Sequence, residues 1–191
     1  MVDDMLRAHV YSLLAALLAG PPCSELLGLL GKIEDQPVLD TEMAQAWQGM
    51  KKAGEQTNVA RLNDEYHRLF IGLGRGQLVP YGSWYQTGSM MNQPLARLRN
   101  DLAVLGIQRR SDMPETEDHA AALCETMAIL CSDPEGIGLE TQKAFFSDHL
   151  KSWMDRFFTD MQQASTIQFY RAVGRLGHTF LAIENAYLNP F

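Results

Sequence analysis

The sequence predicts an all-α protein, and two features of its composition and pattern carry that prediction. Leucine and alanine are abundant while valine and isoleucine are scarce, a balance that favours helices over pleated strands. Apolar residues recur every three or four positions, and no segment shows the alternation of a half-buried strand. We therefore predict seven to nine helices packed as a single domain over residues 1–191.

The first third of the chain contains three predicted helices. The first runs from about Asp3 to Ala19, where Gly20-Pro21-Pro22 ends it because proline cannot continue a helix. A short helix follows from Ser24 to about Gly31, and Asp40 is expected to cap a third that runs to about Ala53. The predicted inner stripe of the first helix consists of Leu6, Val10, Leu13, Leu14, Leu17 and Leu18.

The middle of the chain alternates a helix, a long loop and a second helix. Helical spacing runs from Asn58 to Ile71, with Val59 among the apolar positions, and the glycine-rich segment Gly72–Gly76 ends it. That segment opens a loop of roughly 20 residues, longer than most connections in a compact domain. Pro94 then starts a helix that Gly106 ends.

The last third of the chain contains three predicted helices behind a polar connection. The connection runs from Gln108 to Glu117 and is a candidate hinge. The helices that follow are expected over 118–131, 139–158 and 165–187, the last two with aromatic inner stripes.

Charge and composition exclude several classes of protein. The formal net charge of −7 opposes binding to nucleic acid or anionic lipid. The longest apolar stretch, Leu13 to Ala19, is far shorter than the roughly 18 to 20 residues that cross a bilayer, so no stable membrane insertion is expected. Asp3 and Asp4 stand where a signal peptide would be basic. Three cysteines without paired spacing (Cys23, Cys124, Cys131) are typical of a cytoplasmic protein with reduced, mostly buried thiols.

The first candidate site is the aromatic segment Tyr81-Gly82-Ser83-Trp84-Tyr85, which follows Pro80 in the long loop. Aromatic side chains presented from a loop between rigid helices often form a recognition surface. The same residues are equally consistent with a plug that closes a hydrophobic core, with Gly82 and Ser83 making a turn.

The second candidate site is Glu117-Asp118-His119. A carboxylate next to an imidazole is a titratable pair that can tune a binding site. The structural alternative is that Asp118 caps the following helix, Glu117 stabilises the helix N-terminus, and His119 lies half exposed. Local sequence alone favours this alternative.

Metal and nucleotide sites have little support. Asp64 and His67 share a helix face, and so do Glu115 and His119 if that segment is helical, but a helix-bundle metal centre draws ligands from several helices. The glycines of Gly72–Gly76 follow a helix rather than a strand and lack the lysine of a phosphate-binding loop. We expect no metal and no cofactor.

Five blocks of the sequence form a recognisable series: Glu65–Gly72, Val79–Tyr85, Asp118-His119, His149–Phe157 and Phe169–Leu176. In the same order, they resemble the TorD/DmsD/NarJ-type family of redox-enzyme maturation chaperones, most closely its TorD/DmsD branch. The resemblance covers roughly Leu62 to Glu184, whereas the first 60 residues are similar only as helices.

The resemblance implies an all-helical chaperone rather than an enzyme. Such proteins bind the twin-arginine signal peptide of a molybdenum-cofactor oxidoreductase, hold the apoprotein until the cofactor is inserted, and prevent premature export. The residues that match the family's motifs are Tyr81, Gly82, Ser83, Tyr85, Asp118 and His119. Together with Trp84 and Glu117 from the same two candidate sites, they are the predicted peptide-binding residues. Tyr81 stands where the dimethyl-sulfoxide-reductase branch tends to have tryptophan, which leaves the client open. The implied oligomeric state is a monomer or a domain-swapped homodimer, with the candidate hinge at residues 108–117.

A mechanism follows from this resemblance as a hypothesis. The acidic chain attracts the arginines, and Asp118 or Glu117 accepts a two-pronged guanidinium contact. The aromatic segment contacts the apolar part of the peptide, and His119, near its ordinary pKa, modulates release. Two alternatives remain: a small helical metal-dependent enzyme that uses Asp64, His67 and His119, and a non-catalytic helical scaffold.

Overall fold

Within the described part of the chain, the regular secondary structure is helical. The structure, a computed structural model, describes residues 4–33, 41–72, 76–133, 136–164 and 166–190. Within these ranges the chain forms ten α-helices and one π-helical turn at His67–Ile71, with no strand beyond one isolated bridge. The all-α prediction is confirmed, and the helix count exceeds the predicted seven to nine. The helices are α1 (Asp4–Ala19), α2 (Ser24–Leu30), α3 (Glu42–Glu55), α4 (Val59–Tyr66), α5 (Gly82–Thr87), α6 (Gln93–Val104), α7 (Ala120–Ser132), α8 (Leu139–His149), α9 (Met154–Ala164) and α10 (Gln168–Leu188).

The chain divides into two compact units. The first combines Met1–Ala19, Pro80–Met154 and Asn185–Phe191, and the second combines Gly20–Val79 and Asp155–Glu184. The candidate hinge at residues 108–117 lies inside the first unit, and the single-domain organisation stays a prediction.

The first unit is built around α1 and α7, which pack against each other. Val10, Leu14, Leu17 and Leu18 are buried as predicted. Leu6 was wrongly placed on the inner stripe: it is 58% exposed, whereas Arg7 and Tyr11 are buried.

Arg7 is buried with partners for its guanidinium group. It donates to Asp4 Oδ1 and to Gln142 Oε1, both at 2.6 Å. It also lies over the ring of Tyr187, 4.8 Å from the centroid. These partners offset the free-energy cost of removing the positive charge from water.

The starts of several helices match the capping residues in the sequence. The Thr41 side chain caps α3 by accepting from the Ala44 N–H, while the predicted cap Asp40 lies outside the described residues. The Asn58 side chain caps α4, and Pro94 lies in the first turn of α6 as predicted. The predicted helix over 118–131 begins two residues later, because His119 is the N-cap of α7.

Two segments of the chain contain one more helix than predicted. The long loop after Gly72 contains the short helix α5, which ends at Gly88 with a φ of +73°. The single helix predicted over 139–158 is two helices, separated at residues 150–153. The first helix ends at His149, whose backbone carbonyl accepts a 2.7 Å hydrogen bond from the indole N–H of Trp153.

The second unit contains a buried carboxylate at the end of α4. Glu65 accepts from Arg68 Nε at 3.0 Å and Nη2 at 2.7 Å, and from the Thr166 backbone N–H at 2.9 Å. Burial alone would raise the pKa of Glu65, but these donors hold it below its ordinary value. Of the apolar positions in this predicted helix, Leu62 and Leu69 are buried, whereas Val59 is exposed.

Candidate functional site

The structure brings the two predicted segments together as an antiparallel bridge between Tyr81 and His119. The Gly82 N–H donates to the Asp118 carbonyl at 2.9 Å, and the Ala120 N–H donates to the Pro80 carbonyl at 2.8 Å. The start of α5 and the start of α7 are therefore held side by side in the first unit.

Asp118 connects these two segments through its side chain. It is only 3% exposed. Its Oδ2 accepts from the Ser83 N–H at 2.9 Å and from the Ser83 hydroxyl at 2.5 Å, while its Oδ1 accepts from the Thr116 hydroxyl at 2.6 Å. Asp118 is therefore not the cap of α7, and both of its oxygens already have donors.

His119 takes the capping role instead. Its Nδ1 accepts from the Ala121 N–H at 3.1 Å, which places the ring proton on Nε2. The side chain is 5% exposed and its ring meets the edge of the Tyr81 ring, with centroids 5.0 Å apart. The expectation of a half-exposed His119 was wrong.

Burial determines the charge of His119. It lowers the pKa from 6.5 to about 4, although the nearby Asp118 carboxylate acts in the opposite direction. The imidazole is neutral at pH 7, so the hypothesis of a variable charge near the ordinary pKa was wrong.

The aromatic segment packs partly inward. The ring of Tyr85 lies against Trp153, with centroids 5.4 Å apart, and the Tyr81 hydroxyl donates to Glu115. A Cβ on Gly82 would lie 3.1 Å from the Trp153 indole nitrogen, so this position requires a close approach of the backbone. Tyr81, Trp84 and Tyr85 all keep partial exposure.

The glutamates beside this bridge are already engaged. Glu117 pairs with Arg99 Nη2 at 2.9 Å and lies 3.6 Å from Arg109 Nε. Burial alone would raise the pKa of Glu117, but the two arginines hold it below its ordinary value. Burial raises the pKa of Glu115.

A groove of about 480 Å³ lies next to the bridge, between α1, α7 and the segment 107–117. His119, Glu115 and Glu117 line it, so part of the predicted site faces this groove. Sequence reasoning missed its apolar lining, because the small side chains of α1 and α7 looked like ordinary core alanines. The apolar residues that line the groove are Ala15, Ala16, Ala19, Ile107, Met113, Ala121, Ala122 and Ile129.

The three residues named for the metal-dependent enzyme alternative belong to different units of the chain. Asp64 and His67 are exposed in the second unit, where His67 Nδ1 lies 2.7 Å from the Asn63 carbonyl oxygen. His119 belongs to the first unit. In the described ranges, no three His, Cys, Asp or Glu side chains are grouped as metal ligands would be.

The cysteines largely match expectation. Cys124 and Cys131 are buried free thiols, whereas Cys23 is exposed. Burial raises the pKa of the Cys124 thiol.

A family model described as nitrate reductase delta subunit matches residues 36–159, a span that includes both candidate segments. The chain belongs to this family. The resemblance to TorD/DmsD/NarJ-type chaperones is thereby confirmed.

Relatives of this nitrate reductase delta subunit family member cover nearly its whole length. A chaperone protein TorD from Vibrio cholerae is 24% identical over 92% of this chain and 88% of its own. A chaperone protein TorD from Shewanella loihica is 25% identical over 93% of this chain and 90% of its own.

A solved structure from Archaeoglobus fulgidus, described as a redox enzyme maturation protein, shares the fold of this family member. Its TM-score is 0.63 at 21% identity, and the match covers 93% of this chain and 94% of that one.

In the part of the chain that the structure describes, no helix is both long and apolar enough to cross a bilayer.

Proposed function

We propose that the chain is a cytoplasmic chaperone for the maturation of a molybdenum-cofactor oxidoreductase. It binds the client's twin-arginine signal peptide and apoprotein, aids cofactor insertion and prevents premature export, without catalytic turnover of its own. Family membership supports the chaperone role. The observation that carries the peptide-binding role is the apolar groove beside the Tyr81–His119 bridge.

The groove suits an apolar peptide segment that becomes helical when bound. Its volume of about 480 Å³ is within the usual range of binding pockets. Alanines on α1 and α7 line the groove, and their small side chains allow the backbone of a bound helix to approach closely. Met113 and Ile129 add exposed apolar surface.

His119 supplies a polar contact in this groove. Its Nδ1 is occupied by the Ala121 N–H, and its Nε2–H has no partner among the described residues. A neutral N–H donor suits a peptide carbonyl, several of which are left without partners at the end of a short helix.

Asp118 and the aromatic segment act on this site indirectly. Asp118 fixes Ser83 and so holds α5 next to the start of α7. Tyr81 contacts the His119 ring and thereby fixes its orientation. Whether the chaperone is a monomer or a domain-swapped dimer stays a prediction.

Isothermal titration calorimetry with a synthetic twin-arginine peptide tests this function. Ala16→Trp fills the groove from the exposed side of α1 and is expected to weaken binding at least tenfold. Ala96→Trp is the matched control, because Ala96 is an exposed helical alanine that does not line the groove. Unchanged affinity of the Ala16→Trp variant, or no peptide binding by the wild-type chain, would overturn the proposal.

A further inference from the structure

A second cleft lies in the first unit, between the C-terminal end of α6 and α8. Its volume is about 370 Å³. Apolar and acidic side chains share its lining: Asp101 and Val104 from α6, and Glu140, Phe145, Asp148 and His149 from α8.

Within the described ranges, no lysine or arginine neutralises the carboxylates that line this cleft. Glu140 and Asp148 have no ion-pair or hydrogen-bond partner within the described ranges, and no lysine or arginine lines the cleft there. Glu117 in the first groove is instead held by Arg99 and Arg109. Arg109 and Arg110 line the first groove beside its glutamates, whereas among the described residues the second cleft presents carboxylates with no arginine or lysine in its lining.

His149 is an independent feature of the same cleft. Its side chain is only 8% exposed, and Nε2 lies 2.8 Å from Asp101 Oδ2. With the proton on Nε2, Nδ1 is an acceptor, and it has no partner in the described part of the chain. The side chain that carries this acceptor lines the cleft beside three carboxylates, an arrangement that suits a donor with several N–H groups.

The apolar part of the cleft suits the stem of an arginine. Val104 is 87% exposed, and Phe145 packs against the His149 ring with centroids 4.8 Å apart. The methylene groups of an arginine side chain can cover such surface while the guanidinium group reaches carboxylates.

We propose that this α6–α8 cleft binds the arginine pair of the client's signal peptide, an inference that rests on the function proposed above. α6 lines both sites, since Leu102 faces the groove and Asp101 and Val104 face the cleft. A peptide lying across α6 places its apolar segment in the groove and its arginines in the cleft. This assignment replaces the earlier hypothesis that Asp118 or Glu117 accepts the guanidinium groups, because both already have donors. A second copy of this chain is a poorer occupant, because each copy carries a net charge of −7.

A double-mutant cycle between chain and peptide tests the assignment. Glu140→Gln/Asp148→Asn removes two charges from exposed, unpaired side chains and preserves their shapes. We expect this variant to bind the twin-arginine peptide about tenfold more weakly than the wild type. A twin-glutamine peptide should lose a similar factor with the wild type and little further with the variant.

The matched control is Glu42→Gln/Glu55→Gln, which makes the same change in net charge on exposed side chains of α3. Equal weakening by variant and control would show a general field effect and overturn the assignment. Binding of the twin-arginine peptide that is unaffected by Glu140→Gln/Asp148→Asn would overturn this inference and leave the proposed function intact. A twin-lysine peptide that binds the wild type as tightly would overturn the guanidinium assignment. No binding of any peptide to the wild type would overturn the proposed function as well.

Discussion

Removing the Asp118 carboxylate is expected to destabilise the first unit strongly. In Asp118→Ala, the Ser83 N–H and hydroxyl both lose their acceptor, and Ser83 is fully buried, away from bulk water. A buried donor left without a partner costs about 1–3 kcal/mol, and the Thr116 hydroxyl, which is half-buried, costs less. We therefore expect the free energy of unfolding to fall by about 3–5 kcal/mol. Asp118→Asn keeps one acceptor oxygen and should cost about 1–2 kcal/mol.

The measurement is urea unfolding followed by far-ultraviolet circular dichroism, with Asp112→Ala as the matched control. Asp112 pairs with Arg110 on the surface and should leave the urea midpoint unchanged. If Asp118→Ala costs less than about 1 kcal/mol, or no more than Asp118→Asn, then the carboxylate does not hold the two segments together and the argument from its hydrogen bonds fails.

Two further predictions concern single buried groups. His119→Asn keeps a side-chain acceptor for the helix cap but removes the group that titrates. The pKa of His119 is about 4 in the folded protein and 6.5 in the unfolded chain. The free energy of unfolding of the wild type should therefore fall as the pH drops from 6.5 towards 4, by up to about 1.4 kcal/mol per pH unit. Unfolding free energies measured at several pH values should show a smaller loss in the variant, and parallel profiles would contradict the burial of a neutral imidazole. In Gly177→Ala the new Cβ would overlap the buried ring of Phe158, which should lower the unfolding free energy by about 1–3 kcal/mol, with partial rescue by Phe158→Leu. Thermal unfolding measures both, and Gly49→Ala, a helical glycine with open space, should instead gain roughly 0.5–1 kcal/mol; equal effects of the two substitutions would contradict the packing argument.

Helix boundaries were predictable where the chain itself supplies the chemistry. Gly20-Pro21-Pro22 ends α1, Asn58 caps α4 and Pro94 begins α6, since each acts through its own backbone or a neighbouring N–H. The buried Arg7 was not predictable, because its partners Gln142 and Tyr187 are distant in sequence.

The roles of Asp118 and His119 show the same limit at the candidate site. Aspartate is the more common helix cap, so local sequence assigned the cap to Asp118. Its carboxylate instead accepts from Ser83, which is 35 residues away, and this leaves His119 to cap α7. A tertiary contact thus overrode a local preference.

The interruption between α8 and α9 was also hidden from sequence reasoning. Phe146, Leu150, Trp153 and Phe157 recur at helical spacing, and no glycine or proline lies among residues 146–157. The indole N–H of Trp153 donates a hydrogen bond to the His149 carbonyl, and the spacing of apolar residues does not reveal this contact. The groove was missed for a related reason, since an alanine facing a cavity has the same pattern as one facing a core.

The pairing of α1 with α7 has a consequence for the synthesis of the protein. The residues from 20 to 119 are made after α1 and before its partner. At about 5–20 residues per second, the ribosome needs roughly 5–20 s to make these hundred residues. During that interval the leucine-rich face of α1 has no α7 to cover it. The nascent protein therefore presents an apolar helix that itself needs protection from aggregation.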